Sequence, residues 1–167
     1  NYFDFSLTLN GWGVSKIYRK GTNRAFKHLL EPLVRYRYTT GIDEYQNTII
    51  FDEHDAIANT NEIEYGLVNR FFVRQSTGAS NSHEWLSIKI AQKHFFDPNF
   101  GGAFRPNSVN QFFPLYTLTG FHYGGLQRRF SPVTTRARIT PNRRFSVDLH
   151  SDYDIHSSQL RNLAVTG

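Results

Sequence analysis

The sequence predicts an all-β fold, an antiparallel up-and-down meander, and three observations carry that reading. Apolar and polar residues alternate with period two over long segments. No segment sustains a helical period. Turn-forming residues punctuate the alternating runs, so that about eight strands are expected.

The first strand is expected over Asn1–Leu9, where Phe3, Phe5, Leu7 and Leu9 share one parity. A tight connection at Asn10–Gly13 leads into a second strand, Val14–Lys20. His28–Thr39 sets Leu30, Val34, Tyr36 and Tyr38 against Glu31, Arg35 and Arg37. The overlapping stretch Arg24–Leu33 is the nearest helical candidate, but Pro32 breaks it and a strand fits equally well. In Glu62–Arg74 one parity carries Ile63, Tyr65, Leu67, Phe71 and Val73, and the other is mostly polar. Glu84–Phe95 opposes Leu86, Ile88 and Ile90 to Ser87, Lys89 and Lys93, and later Val133, Thr135, Ala137 and Ile139 oppose Arg136 and Arg138. Phe145–Ile155 is the cleanest segment, with Ser146, Asp148, His150, Asp152 and Asp154 on its polar side, and Arg161–Val165 begins the last strand.

Strand length separates the β architectures. Soluble strands peak near 5–6 residues and a tilted membrane strand needs about 9–11; several segments here reach the longer range. The connections differ too, Gly41–Asn61 and Asp97–Ser131 being long while Ser76–His83 and Pro141–Arg143 are short. Short turns at one end and long loops at the other are the habit of a transmembrane outer-membrane β-barrel with long extracellular loops. A mean hydropathy of −0.49 does not oppose this, because it averages an apolar face with a polar one. Two alternatives stay open on the residues alone: a soluble extracellular β-sandwich that binds carbohydrate, and another outer-membrane barrel such as a porin or receptor.

With no cysteine, disulfide frameworks, thiolate metal sites and cysteine nucleophiles are excluded together. The absence of methionine predicts a piece of a longer chain, and residues 1–167 are read as a single partial barrel domain. The net charge of +5 is spread along the chain rather than clustered, so nucleic acid is not an expected partner. Asp148, His150, Asp152, Asp154 and His156 share one strand face, but neighbours there stand about 6.6–7 Å apart, and a hydrated polar face is the expectation rather than a metal site. Asp52, Glu53, His54 and Asp55 lack a nucleophile with an orienting partner. Gly101-Gly102 and Gly124-Gly125 open no helix and precede no P-loop lysine. No enzyme and no cofactor are expected. Aromatics crowd the long connection, among them Phe95, Phe96, Phe100, Phe104, Phe112, Phe113, Tyr116, Phe121 and Tyr123, as a small core, a stacking platform or an interfacial girdle.

Four elements, taken in order, resemble one family. Lys27–Tyr38, KHLLEPLVRYRY, is similar to a strand with an EP…Y.Y core, and Gln46 with Phe51-Asp52 is similar to the loop that follows it. Asp55–Arg70 keeps the Asp, Ile, Asn and YGL.NR ending of a third element, with Ala56 where the family has Arg. Leu86–Phe96, LSIKIAQKHFF, places Gln92 at a characteristic Gln. The family is that of the outer-membrane LPS-assembly protein LptD, also called organic solvent tolerance protein. The likeness is to the middle of its barrel; the periplasmic jelly-roll, the family's cysteines and the closing strands have no counterpart here.

The resemblance implies an outer-membrane component that takes lipopolysaccharide from a periplasmic bridge and inserts it into the outer leaflet. Its implied partners are lipopolysaccharide, the plug lipoprotein LptE and the periplasmic Lpt bridge components. On this reading the apolar parity faces lipid, and Glu31, Arg35, Arg37, Glu62, Glu64, Lys89, Lys93, Arg136, Arg138, Asp148, His150 and Asp152 line a wet lumen. Arg35, Arg37, Lys89, Lys93, Arg136 and Arg138 are the expected contacts to the ligand's phosphates.

Overall fold

The chain was analysed as a computed structural model that describes residues 2–20, 24–41, 59–75, 82–97, 129–142 and 144–167. The stretches Asp52–Asp55, Gly101-Gly102 and Gly124-Gly125, and the aromatics from Phe100 to Tyr123, lie outside the described residues, as do Gln46 and Phe51.

Among the described residues eight strands form one antiparallel sheet. They are β1 (Phe3–Asn10), β2 (Val14–Lys20), β3 (Arg24–Thr40), β4 (Thr60–Gln75), β5 (His83–Phe95), β6 (Val133–Asn142), β7 (Phe145–Asp154) and β8 (Gln159–Thr166). The helical candidate at Arg24–Leu33 is strand throughout. Strand order is β1-β3-β4-β5-β6-β7-β8, with β2 also paired to β3. Among the described residues the sheet does not close on itself: β1 and β2 hold one edge and β8 the other.

The expectation of a tight turn at Asn10–Gly13 is corrected. Both β1 and β2 run antiparallel to β3, β1 from Phe3↔Thr40 to Asn10↔Leu33 and β2 from Val14↔Leu30 to Lys20↔Arg24. They are therefore collinear halves of one edge strand, offset by a single residue at an interruption that faces Pro32. The cause lies in Pro32, which has no N–H to donate to the neighbouring strand. Its carbonyl still accepts from Gly11 N at 2.9 Å, and the ladder resumes two residues further on. Glycine suits this crossing because a Cβ on Gly11 would collide with Pro32 Cγ, and one on Gly13 would lie 2.6 Å from Leu29 Cδ1.

A one-residue slip exchanges the faces of a strand. Before the interruption the odd residues Phe5, Leu7 and Leu9 align with Tyr38, Tyr36 and Val34; after it the even residues Val14, Lys16 and Tyr18 align with Leu30, His28 and Phe26. With β1 and β2 treated as one strand, the connections 21–23, 76–82 and 143–144 fall at one end of the sheet. The connections 41–59, 96–132 and 155–158 fall at the other.

Burial is inverted relative to a water-soluble sheet. The bare side chains include Phe5, Leu7, Val34, Leu67, Ile90, Ile139, Leu163 and Val165, whereas the covered ones include Glu62, Glu64, Thr134, Asp152 and Asp154. Among the described residues no second sheet packs on the apolar face, as a β-sandwich would require. Leu33, Ala91 and Phe95 are buried apolar side chains of the strands, and all three lie on the polar face.

Gly66 is the tightest point within the sheet. A Cβ there would run into the carbonyl oxygen of Ile90 and lie 2.9 Å from the Cβ of Ala91, its register partner. Gly66→Val is expected to lower the unfolding free energy by about 1–3 kcal/mol, the cost of overpacking. Urea titration of the protein in detergent micelles measures this, and an unchanged midpoint would contradict the close approach of β4 and β5.

Candidate functional site

The polar face is built by register. Antiparallel pairing of β3, β4, β5, β6 and β7 aligns Arg35 with Glu64, Glu64 with Lys93, Lys89 with Arg136, Arg136 with His150 and Arg138 with Asp148. All twelve residues expected to line a lumen therefore share one face. The six expected contact residues are brought onto it together, distributed over β3, β5 and β6.

Five of those six cations are held by protein acceptors. Arg37 makes a two-pronged pair with Asp4, Nε to Oδ1 at 3.2 Å and Nη2 to Oδ2 at 3.3 Å, while Thr39 Oγ1 donates to the same carboxylate at 2.7 Å. Arg35 donates through Nε to Thr8 Oγ1 at 3.2 Å and lies 3.7 Å from Glu64. Lys93 Nζ reaches Glu62 at 2.7 Å. Arg138 grips Asp148 with Nε at 2.7 Å and Nη2 at 3.2 Å. Arg136 makes no ion pair among the described residues.

Lys89 reaches furthest. Its register partner is Val68, yet its ammonium donates to Glu64 Oε1 at 2.8 Å. Between those positions lie Gly66 and Ala91, and their lack of bulk leaves a notch across which the lysine stem lies. Glu64 thus serves Arg35 and Lys89 together with only 5% of its side chain exposed. A carboxylate so covered is tolerable because two cations and the ladder around it replace its water.

Pairing continues beyond these residues. Arg70 links Glu31 at 3.2 Å with Glu84 at 3.9 Å. His150 donates through Nε2 to Asp152 Oδ1 at 2.9 Å, and Asn162 Nδ2 approaches Asp152 Oδ2 at 3.4 Å. Asp154 organises the β7–β8 turn by accepting from His156 N at 3.1 Å, Ser157 Oγ at 2.8 Å and Arg161 Nη2 at 3.2 Å. The acidic run Asp148–His156 is consequently dispersed among separate partners. Among the described residues no three His, Asp or Glu side chains converge as a metal site would need.

Sequence reasoning named the carboxylates as a wet lining and did not foresee that they would hold the cations. Asp4 escaped it altogether, although its parity, opposite to Phe3 and Phe5 on the same strand, was the signal; Asp154 was placed on the polar face but not foreseen as the acceptor of the β7–β8 turn.

The apolar face carries its own polar fittings near both ends. Toward the short connections His28 Nε2 lies 3.2 Å from Asn69 Oδ1 and its ring stacks on Phe71 at 4.4 Å, with Trp85 beyond. Toward the long connections Tyr65 donates to Gln92 Oε1 at 2.8 Å, and Gln92 donates to the Ser131 carbonyl at 3.0 Å. There His94, Phe96 and Phe130 cluster, and Tyr36 meets Phe96 edge-on.

A single antiparallel sheet with bare apolar residues on one side and paired, covered charges on the other defines the class: an outer-membrane protein built from β-strands. The particular family follows from the comparison with family models. Residues 2–167 match the model of LptD, described as LPS transport system D, and the chain belongs to the LptD family. No curated protein matches it. LptD is a transport family of the outer membrane and not an enzyme family; its role is the movement of lipopolysaccharide to that membrane.

Glu64→Ala is expected to cost about 2–3 kcal/mol, because Lys89, four-fifths covered, would lose its acceptor. In a double-mutant cycle with Lys89→Ala the coupling should exceed about 1 kcal/mol. Additive losses in urea unfolding would show that the 2.8 Å contact adds no stability.

Proposed function

We propose that residues 1–167 form one partial barrel domain, a stretch of wall in the transmembrane β-barrel through which the LptD protein inserts lipopolysaccharide into the outer leaflet. The observation that carries this is the inverted burial, with Leu67 45% exposed on one face and Glu64 4% exposed on the other. A lipid-embedded sheet has to satisfy every backbone group within itself and to turn its apolar side chains outward. The polar face then borders the lumen.

The two belts of amphipathic side chains support a crossing of the right height. From His28 to Tyr36 the strand advances roughly 27 Å, and a tilt of about 40° reduces this to roughly 20 Å along the membrane normal. An outer-membrane apolar band is about 25 Å tall, so the aromatic ends fall near its two interfaces. The long connections 41–59 and 96–132 are assigned to the extracellular side and the short ones to the periplasm, as in other barrels of this class.

On this reading Arg35, Arg37, Lys89, Lys93, Arg136 and Arg138 meet the phosphates of lipopolysaccharide as it passes. Most do so as members of carboxylate pairs, which keeps the face wet and mixed in sign rather than strongly cationic. A surface of that kind binds weakly, as a conduit should. The plug lipoprotein LptE and the periplasmic Lpt bridge components are the partners that the family likeness supports.

Two experiments test this. Leu67→Arg and Ile90→Arg should each cost about 2–4 kcal/mol in folding into lipid vesicles, the penalty for a cation at mid-membrane on the lipid face, while Ser87→Arg on the polar face should cost about 1 kcal/mol or less. Equal costs on both faces would sink the lipid-facing assignment. Charge reversal of Arg35, Arg37, Arg136 and Arg138 together should impair lipopolysaccharide export, and normal surface lipopolysaccharide in that variant would remove the contact assignment.

A further inference from the structure

The charge ladder of the polar face has one defect. The row that crosses β5, β6 and β7 places Lys89 opposite Arg136 and Arg136 opposite His150, with Ala164 beyond on β8. Side chains directly opposite on one face stand about 4.5–5.5 Å apart at Cβ, and like charges there oppose pairing. The adjacent row toward the short connections is balanced by contrast, since Arg138 faces Asp148 and holds it with both prongs.

The fold relieves the crowding by drawing the flanking groups to one side. Lys89 leans across the Gly66/Ala91 notch to Glu64, and His150 turns to Asp152. Among the described residues Arg136 is left exposed with its guanidinium uncommitted. The nearest carboxylates on its row's two sides are occupied: Asp148 by Arg138, and Asp152 by His150 and Asn162. A guanidinium offers five N–H donors in a planar fork that matches two oxygens of a tetrahedral oxyanion.

We infer that Arg136, walled by Lys89 and His150, is a phosphate-binding position, where a phosphomonoester or an inorganic phosphate supplies the acceptor that the sheet withholds. This deepens the reading of the polar face as the path of a phosphorylated glycolipid and rests on it. It differs in singling out one of the six cations: the other five keep their acceptors when ligand is absent and have to exchange them to bind, whereas Arg136 has no acceptor to give up among the described residues.

The test uses the intact outer-membrane protein in detergent, with lipopolysaccharide bearing its phosphates, the same lipid dephosphorylated, and inorganic phosphate as probes. Arg136→Gln should weaken binding of the phosphorylated lipid by about tenfold, the loss of a charge-assisted hydrogen-bonded contact, and leave the dephosphorylated lipid unchanged. Arg136→Lys, which keeps the charge without the fork, should fall between, and Arg144→Gln in the β6–β7 turn should match wild type. Competition by inorganic phosphate in wild type that disappears in Arg136→Gln identifies phosphate itself as sufficient; a tenfold loss without such competition identifies the lipid-borne group as the source. Equal binding by Arg136→Gln and wild type, or equal loss for both lipids, overturns the site. Photo-crosslinkers at Ser87 and Thr134 separate this from the broader reading. Lipid crosslinks there that persist while Arg136→Gln has no phosphate-specific effect overturn the site alone, and absence of crosslinks in wild type overturns the passage reading with it.

Discussion

The pairing register of β3 against β4 is the constraint on which the rest of the structure depends. It runs without a break from Arg24↔Gln75 to Thr39↔Thr60. Because side chains alternate with a period of two, that register decides which face every residue of both strands presents. It puts Arg35 beside Glu64 and Val34 beside Tyr65, and each further strand inherits the assignment through its own ladder. A shift by one residue would turn Glu62 and Glu64 onto the apolar face and Ile63 and Leu67 onto the polar one, at a cost no local rearrangement offsets. The pairs Arg70–Glu31 and His28–Asn69 each lock this register from a different face.

The two faces stabilise the sheet by different physics. On the apolar side nothing among the described residues covers Leu7, Leu67 or Leu163, so the surroundings must supply what a core supplies elsewhere. On the polar side stability comes from carboxylates that are covered and doubly partnered. Exposed pairs such as Arg37–Asp4, about two-fifths accessible on both sides, contribute at most about 1 kcal/mol each. Glu64 and Glu62 differ, because each is nearly covered and its lysine is about four-fifths covered. Their role is as much to fix the register as to add free energy, since a one-residue slip would carry either lysine to the opposite face, away from its carboxylate.

Much of this was legible in the residues. Strand positions followed from alternation, and Phe145–Ile155, unbroken by Gly or Pro, matches β7 to within a residue. The paired identity of the polar face was legible only as parity. Which cation meets which acid depends on diagonal reach, as when Lys89 bypasses its register partner, and reach is set by the small residues Gly66 and Ala91 on two strands far apart in sequence. The interruption at Gly11–Gly13 was misread as a turn for a related reason: Gly-X-Gly between two apolar runs signals a reversal locally. What made it a slip instead was Pro32, whose missing donor lies on the neighbouring strand and could not be connected to the glycines without the pairing.

The residues that carry the family likeness turn out to serve the wall. Glu31 and Pro32 from one element meet Arg70 and Gly11, Tyr65 and Gln92 from two others hydrogen-bond each other, and Gly66 admits the backbone of Ile90. The spacing between the first and third elements is what the β3–β4 register requires, since Lys27–Tyr38 lies directly against Asn61–Phe72. The motifs thus describe how two long strands are clamped in register, and they are silent about what the polar face meets. Any selectivity of that face has to come from residues outside the motifs, where the sheet can alter charge without disturbing its register. Arg136 is such a residue: it lies on the polar face of β6 and makes no ion pair among the described residues, so a change there leaves the ladder of β5, β6 and β7 intact.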